Sequence, residues 1–98
     1  METRVAIVAI IAQSSESAMQ INTLLHDYGS YIVGRMGIPY REKGIHIISV
    51  VIDAPQDKIN TLAGKIGRLK GVAVKTVYSE YREQMTNKAD SGLTSKPV

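Results

Sequence analysis

The stretch from Gly34 to Asp53 constrains the fold of this chain more than any other. Alternation through residues 32–40 is typical of a half-buried strand, whereas the run at 45–52, apolar on both faces except at His46 and Ser49, is typical of a central strand. A turn signal, Glu42-Lys43-Gly44, separates the two segments. The sequence therefore predicts a β-hairpin, with its first strand at a sheet edge because Pro39 cannot donate a ladder hydrogen bond. One face of that strand is expected to carry Ile32, Met36, Ile38 and Tyr40, and the other Val33, Arg35, Gly37 and Pro39.

The segments on either side of the hairpin define the predicted fold. Residues 4–11 form an apolar strand, and a helix capped by Ser14 or Ser15 follows and ends before Gly29. A second helix begins with Pro55 at its first position and stops at Gly71, and residues 72–78 alternate as a last strand. The order β-α-β-β-α-β predicts an α+β, ferredoxin-like domain. Its antiparallel sheet has strand order 4-1-3-2, with both helices on one face.

Composition bounds the class of protein. Residues 1–80 are predicted to form one domain, and residues 81–98 a polar C-terminal tail that is flexible or orders against another subunit. The 98 residues include no cysteine, which excludes disulfides, thiolate metal sites and cysteine nucleophiles and fits a cytoplasmic protein. No apolar run reaches the roughly 20 residues that a membrane span needs, so no membrane association is expected.

Catalytic chemistry is nearly absent from the sequence. There is no P-loop and no dinucleotide fingerprint, and Ser14 and Ser15 have no recognisable base partner. His26 and His46 fall on different elements; a metal site with Asp27 or Asp53 across an interface is disfavoured against ordinary surface positions. The chain is therefore predicted not to be an enzyme, no metal ligands are assigned, and no cofactor is identified.

The predicted fold leaves one face of its sheet uncovered. Both central strands place apolar residues on that face, and the chain has no third layer to cover them. Exposed apolar patches of this kind mark interfaces. A homo-oligomer, dimer or tetramer, is therefore expected, by packing of the sheet faces or by pairing of the edges.

Net charge suggests a second kind of partner. The formal charge is +3, and a basic run without acids could form a nucleic-acid footprint. However, such a run is more often a solvated face, and the chain lacks the clustered aromatic residues on which bases stack. Nucleic-acid binding is thus disfavoured. The run consists of Lys58, Lys65, Arg68, Lys70 and Lys75.

Three local motifs resemble one known family. They are LLHDYG at residues 24–29, the hairpin entry with Arg35, Gly37, Pro39, Arg41 and Glu42, and LAGKIGRLKGVAVKTV at residues 62–77. Over roughly residues 4–78 the chain resembles the iron-only hydrogenase system regulators, small proteins of ACT-like fold. It also looks distantly like the regulatory C-terminal domain of nickel-responsive repressors.

The resemblance implies a regulatory rather than enzymatic role, in the [FeFe]-hydrogenase systems of anaerobic bacteria. The chain departs from related proteins at two points. The loop from Ala12 to Glu16 lacks the glycine of many amino-acid-binding ACT domains, and the chain lacks the DNA-binding segment and the cysteine ligand of the nickel repressors.

The favoured hypothesis is a ligand-sensing ACT-like module that acts as a homo-oligomer and binds a small-molecule effector. An interaction scaffold for a hydrogenase-related partner stays open as the alternative, and a DNA-binding regulator that uses the basic run is less favoured. The candidate ligand-binding residues are Gln13, Ser14, Ser15, Arg35, Arg41 and Lys65.

Overall fold

A computed structural model describes residues 2–80, so the tail predicted for residues 81–98 lies outside the described part of the chain. Residues 2–80 form one antiparallel four-stranded sheet of order β2-β3-β1-β4 and two α-helices, which confirms the predicted ferredoxin-like α+β fold. The strands are β1 (Arg4–Ala12), β2 (Ile32–Tyr40), β3 (Ile45–Ala54) and β4 (Val72–Tyr78). The helices are α1 (Ser15–Asp27) and α2 (Gln56–Gly67).

Both helices pack on one face of the sheet and enclose the core there. Along β1 every second residue is buried, and its buried positions pair with buried positions of β3, as Val8 does with Val50 and Ile10 with Ile48. Side chains of the helices cover this layer. The fully buried large residues are Val8, Ile10, Ile21, Leu25, Val50, Ile52, Ile59, Leu62 and Ile66.

The hairpin forms as predicted, with one difference in the edge strand. Arg41–Lys43 make a short 3-10 turn, and Gly44 reverses the chain at a φ of +66°. In β2, however, a bulge between Ile32 and Gly34 shifts the register against β3. The extra residue places Ile32 opposite the buried Ile52, so the prediction that Ile32 shares a face with Met36 is wrong.

The first helix ends before Gly29 as predicted, whereas both predicted boundaries of the second helix differ from the structure. Gly29 does not take the left-handed conformation expected of a residue that follows a helix, because the chain tightens into a 3-10 turn at Gly29–Tyr31, where the Tyr31 N–H bonds to the Tyr28 carbonyl at 2.9 Å. Pro55 is the N-cap of α2 rather than its first residue. Gly71 adopts a φ of +71° just before β4, four residues after α2 has ended.

Candidate functional site at the start of helix α1

One end of the sheet collects the loops that carry polar side chains. β1 ends there and α1 begins, the turn between β2 and β3 lies beside them, and β4 starts on the other side. The register fixes this arrangement, since Ala12 pairs with His46 of β3 and with Val72 of β4. Basic residues exceed acidic ones in these loops. They are Arg41, Lys43, Arg68 and Lys70, against Glu16 and Glu42.

Ser14 sets the start of α1. Its backbone is extended, and its Oγ accepts a hydrogen bond from the Ser17 N–H at 3.1 Å, which satisfies one of the free N–H groups of the first turn. Ser17 is buried, and its hydroxyl donates to the Ser14 carbonyl at 3.2 Å. The sequence predicts Ser14 or Ser15 as the cap. In the structure the cap is Ser14, and Ser15 lies on the surface as the first helical residue.

The larger cleft lies between the start of α1 and the loop that follows α2, and is called the α2-side cleft. Its volume is about 520 Å³. The Gln13 N–H donates to the Gly71 carbonyl at 3.0 Å and ties the two loops together. Arg68 and Lys70 supply positive charge and Glu16 a carboxylate. The lining residues are Gln13, Ser14, Glu16, Ser17, Gln20, Arg68, Leu69, Lys70 and Gly71.

A second cleft, of about 340 Å³, lies on the other side of Ser15 and is called the hairpin-side cleft. The end of β2, the β2–β3 turn and the start of β3 form its walls. His46 points toward α1, with its Nε2 3.5 Å from the Ser15 Oγ. The lining residues are Ser15, Pro39, Arg41, Gly44, Ile45 and His46.

The structure divides the six predicted ligand-binding residues among four places. Gln13 and Ser14 line the α2-side cleft, whereas Ser15 and Arg41 line the hairpin-side cleft. Arg35 and Lys65 line neither. Arg35 instead donates a hydrogen bond to the side chain of Asn22, and the Lys65 ammonium lies 5.7 Å from the centre of the Tyr28 ring.

Sequence reasoning missed the contributions of three residues to these clefts. In the sequence, Arg68 and Lys70 stand out only as part of a basic run, and His46 only as a histidine without a partner. The run itself does not occupy one surface: Lys75 pairs with Ala9 on the sheet face away from the helices, and Lys65 lies over Tyr28 on the helical side. The sequence did contain one signal for these roles. All three residues lie beside turns that the predicted topology brings to the same end of the sheet.

The sheet face opposite the helices, called the open face, is largely apolar in the described chain. Ile7 and Ile11 of the central strand β1 are 43% and 44% exposed, and Ile38 of β2 is 47% exposed. Aliphatic side chains this exposed on a central strand are characteristic of a surface that another layer covers. Further apolar members are Met36, Tyr40, Ile45, Ile47, Val51 and Val77.

The charges on the open face are few. Asp53 lies on β3 opposite Val5, and Lys75 lies on β4 opposite Ala9. The two charges are of opposite sign and lie on different sides of β1.

Within residues 2–80, no group of three or more His, Asp or Glu side chains is close enough together to hold a metal ion. His26 on α1 and His46 on β3 belong to separate surroundings, as the sequence predicts. Over the same residues, neither helix has the length and the apolar character needed to cross a membrane.

Comparison with known proteins identifies the family. A family model described as "TM1266-like: Iron-only hydrogenase system regulator, putative" matches residues 4–76. The solved structure of the uncharacterized protein TM1266 from Thermotoga maritima is 38% identical in sequence. It superposes with a TM-score of 0.75, over 79% of this chain and 98% of that one. No functionally curated protein matches the sequence.

A more distant neighbour shares the fold alone. The C-terminal domain of the MgtC protein from Mycobacterium tuberculosis superposes with a TM-score of 0.64 at 13% identity, over 84% of this chain and 94% of that domain. The family match runs from the start of β1 into β4 and includes both helices. The chain therefore belongs to the TM1266-like family of iron-only hydrogenase system regulators.

Proposed function

We propose that this chain is a non-catalytic regulatory module of an iron-only hydrogenase system, which acts as a homo-oligomer and responds to a small ligand. The family membership supports a regulatory role in the coarse sense. The open face carries the finer proposal, because residues such as Ile7 and Ile11 are left exposed on a central strand.

A second copy of the chain is the occupant that best fits the open face. Removing exposed apolar side chains from water is favourable, so the apolar residues of the open face favour association. A two-fold arrangement lets the same patch serve both partners, and it can set the Lys75 of one copy toward the Asp53 of the other. Opposite charges on an otherwise apolar face favour a defined register over a sliding contact.

The clefts at the start of α1 support the sensing part of the proposal. They bring hydroxyl, amide, guanidinium and imidazole groups together at one end of the sheet, which suits recognition of a small polar molecule. The polar side chains come from the start of α1, the start of β3 and the loops beside them, so a ligand bound there can change how these segments meet a neighbouring subunit.

Solution mass tests the proposal. Light scattering of the full chain is expected to give a dimer or a tetramer. Repeating it with nickel, iron, zinc, amino acids, nucleotides and small anions is expected to show a ligand that changes the mass or the dissociation constant of the oligomer. A monomer that no addition affects would contradict the proposal and favour a scaffold whose open face docks a hydrogenase-related protein.

A further inference from the structure

The hairpin-side cleft brings together hydrogen-bond donors from three separate elements. Ser15 is the first residue of α1, Arg41 belongs to the β2–β3 turn, and His46 lies near the start of β3. Arg41 and His46 are 26 and 31 residues from Ser15 along the chain, and only the fold makes the three residues neighbours.

Two of these groups lie close enough together to share one acceptor. The Ser15 Oγ and the His46 Nε2 are 3.5 Å apart, beyond the roughly 2.7–3.2 Å of a well-formed hydrogen bond. Ser15 is not needed to cap α1, because Ser14 does so. An oxygen atom beside this pair, about 2.8 Å from both the Ser15 Oγ and the His46 Nε2, can accept a hydrogen bond from each without breaking the helix cap.

Charge at the cleft favours an anion. The six residues that line it include Arg41 and His46 but no Asp or Glu, and Glu16, the next residue along α1, lines the α2-side cleft instead. The positive end of the α1 dipole adds to this field, since Ser15 begins the helix. A guanidinium binds an oxyanion through two parallel hydrogen bonds, which adds directional preference to the charge.

We propose that the hairpin-side cleft binds an oxyanion group, a phosphate or carboxylate, of a small metabolite, through the Ser15 hydroxyl, the Arg41 guanidinium and the His46 imidazole. Pro39, which pairs with His46 in the sheet, forms the apolar part of the wall, against which the remainder of the ligand packs. The volume of about 340 Å³ is at the small end of ligand sites and fits a small molecule. This inference gives the effector of the proposed sensor a chemical class, and so rests on that proposal.

Inorganic phosphate and acetate serve as the two probes, each titrated into the full chain against sodium chloride at equal ionic strength. Amide chemical shifts in a two-dimensional NMR spectrum report binding residue by residue. Phosphate, acetate or both are expected to give saturable shifts at Ser15, Arg41 and His46, and the tighter probe identifies which oxyanion the cleft prefers. The amides of Arg68 and Lys70, in the α2-side cleft, are expected to move less.

Charge-matched variants separate the site from general electrostatics. Arg41→Gln removes the bidentate donor and is expected to raise the dissociation constant roughly tenfold. Lys43→Gln removes one positive charge from the same turn but not from the cleft lining, and is expected to change affinity less than about twofold. Ser15→Ala leaves the Ser14 cap in place and tests the hydroxyl alone, with an expected loss of about threefold to tenfold.

Two results would overturn the assignment. One is the absence of saturable shifts with both probes; the other is equal weakening by Arg41→Gln and Lys43→Gln, which would show a diffuse charge effect. The cleft is built within a single chain, so light scattering on the same samples tests the oligomer separately. A monomer that binds phosphate at Ser15 and Arg41 would refute the oligomeric proposal and leave the anion site intact.

Discussion

The Ser14 Oγ accepts a hydrogen bond from the Ser17 N–H at 3.1 Å, and the Ser14 carbonyl accepts one from the Ala18 N–H, also at 3.1 Å. Ser14 therefore stabilises the first turn of α1 through both its side chain and its backbone. The Ser17 hydroxyl returns a hydrogen bond to that carbonyl at 3.2 Å. This local network places Ser15 and Glu16 at the edges of the two clefts. The geometry of the candidate site therefore depends on a helix cap.

Replacement of Ser14 by Ala is expected to lower the free energy of unfolding by about 1 kcal/mol, because the Ser17 N–H loses its partner next to a buried side chain. Urea denaturation followed by circular dichroism measures the change. Ser15→Ala is the matched control, since Ser15 does not cap the helix, and is expected to change stability by less than about 0.5 kcal/mol. Equal losses in the two variants would show that the cap is shared between them.

Two glycines of α2 are expected to respond differently to alanine. A Cβ at Gly64 would have the Arg68 side chain as its nearest neighbour at 3.8 Å, so Gly64→Ala is expected to stabilise the fold by about 0.5–1 kcal/mol through helix propensity. A Cβ at Gly67 would lie 3.2 Å from the Val74 Cγ1. Gly67→Ala is therefore expected to be about 1 kcal/mol less favourable than Gly64→Ala.

Thermal and urea denaturation of the two variants and of the unchanged chain measure these differences in stability. Equal stabilisation by both alanines would mean that β4, an edge strand, moves aside at Val74 without cost. In that case Gly67 would not be required for the contact between α2 and β4.

Tyr78, the last residue of β4, joins three parts of the fold. Its hydroxyl donates to the Asn60 Oδ1 of α2, and its ring lies 4.6 Å from the Arg4 guanidinium carbon. Tyr78→Phe removes only the hydrogen bond, at a partly exposed site, and is expected to cost about 0.5 kcal/mol. Tyr78→Ala also removes the ring and is expected to cost at least about 1 kcal/mol more. A loss with Phe as large as that with Ala would assign the whole effect to the hydroxyl.

The sequence predicted the sheet and its order because hydrophobic alternation reports which face of a strand is covered. β1 and β3 carry apolar residues on both faces, as central strands do, and Pro39 marks β2 as an edge strand. Alternation could not reveal the bulge at Ile32. One extra residue moves the side chains before it to the other face of the strand, and no change in residue type marks the position. Gly29 did predict the end of α1, but residue type could not show that a 3-10 turn, rather than a left-handed glycine, follows the helix.

The candidate site was less predictable for a geometric reason. The residues that line each cleft come from elements far apart in the chain, such as Ser15 and His46, and their proximity depends on the register of β1 against β3. The loop residues Gln13, Ser14 and Ser15 could be proposed from their position alone. Arg35 and Lys65 were proposed for their charge, but their side chains reach Asn22 and Tyr28, on surfaces outside both clefts.

A charge placed on the central strand of the open face tests which surface joins the subunits. Ile11→Lys is expected to shift the solution mass to that of the monomer, because an interface would have to bury an unpaired ammonium group. The fold itself is expected to change stability by less than about 1 kcal/mol, since the Ile11 side chain is already 44% exposed in the single chain. Light scattering over a range of concentrations gives the mass, and circular dichroism shows that the variant is folded.

Met19→Lys provides the matched control for that experiment. Met19 is also an exposed apolar residue, 69% accessible, but it lies on α1, on the side of the sheet that the helices cover. The same change of residue type there is expected to leave the mass unchanged. If Met19→Lys dissociates the oligomer and Ile11→Lys does not, the subunits meet through the helices, and the open face is free for a different partner.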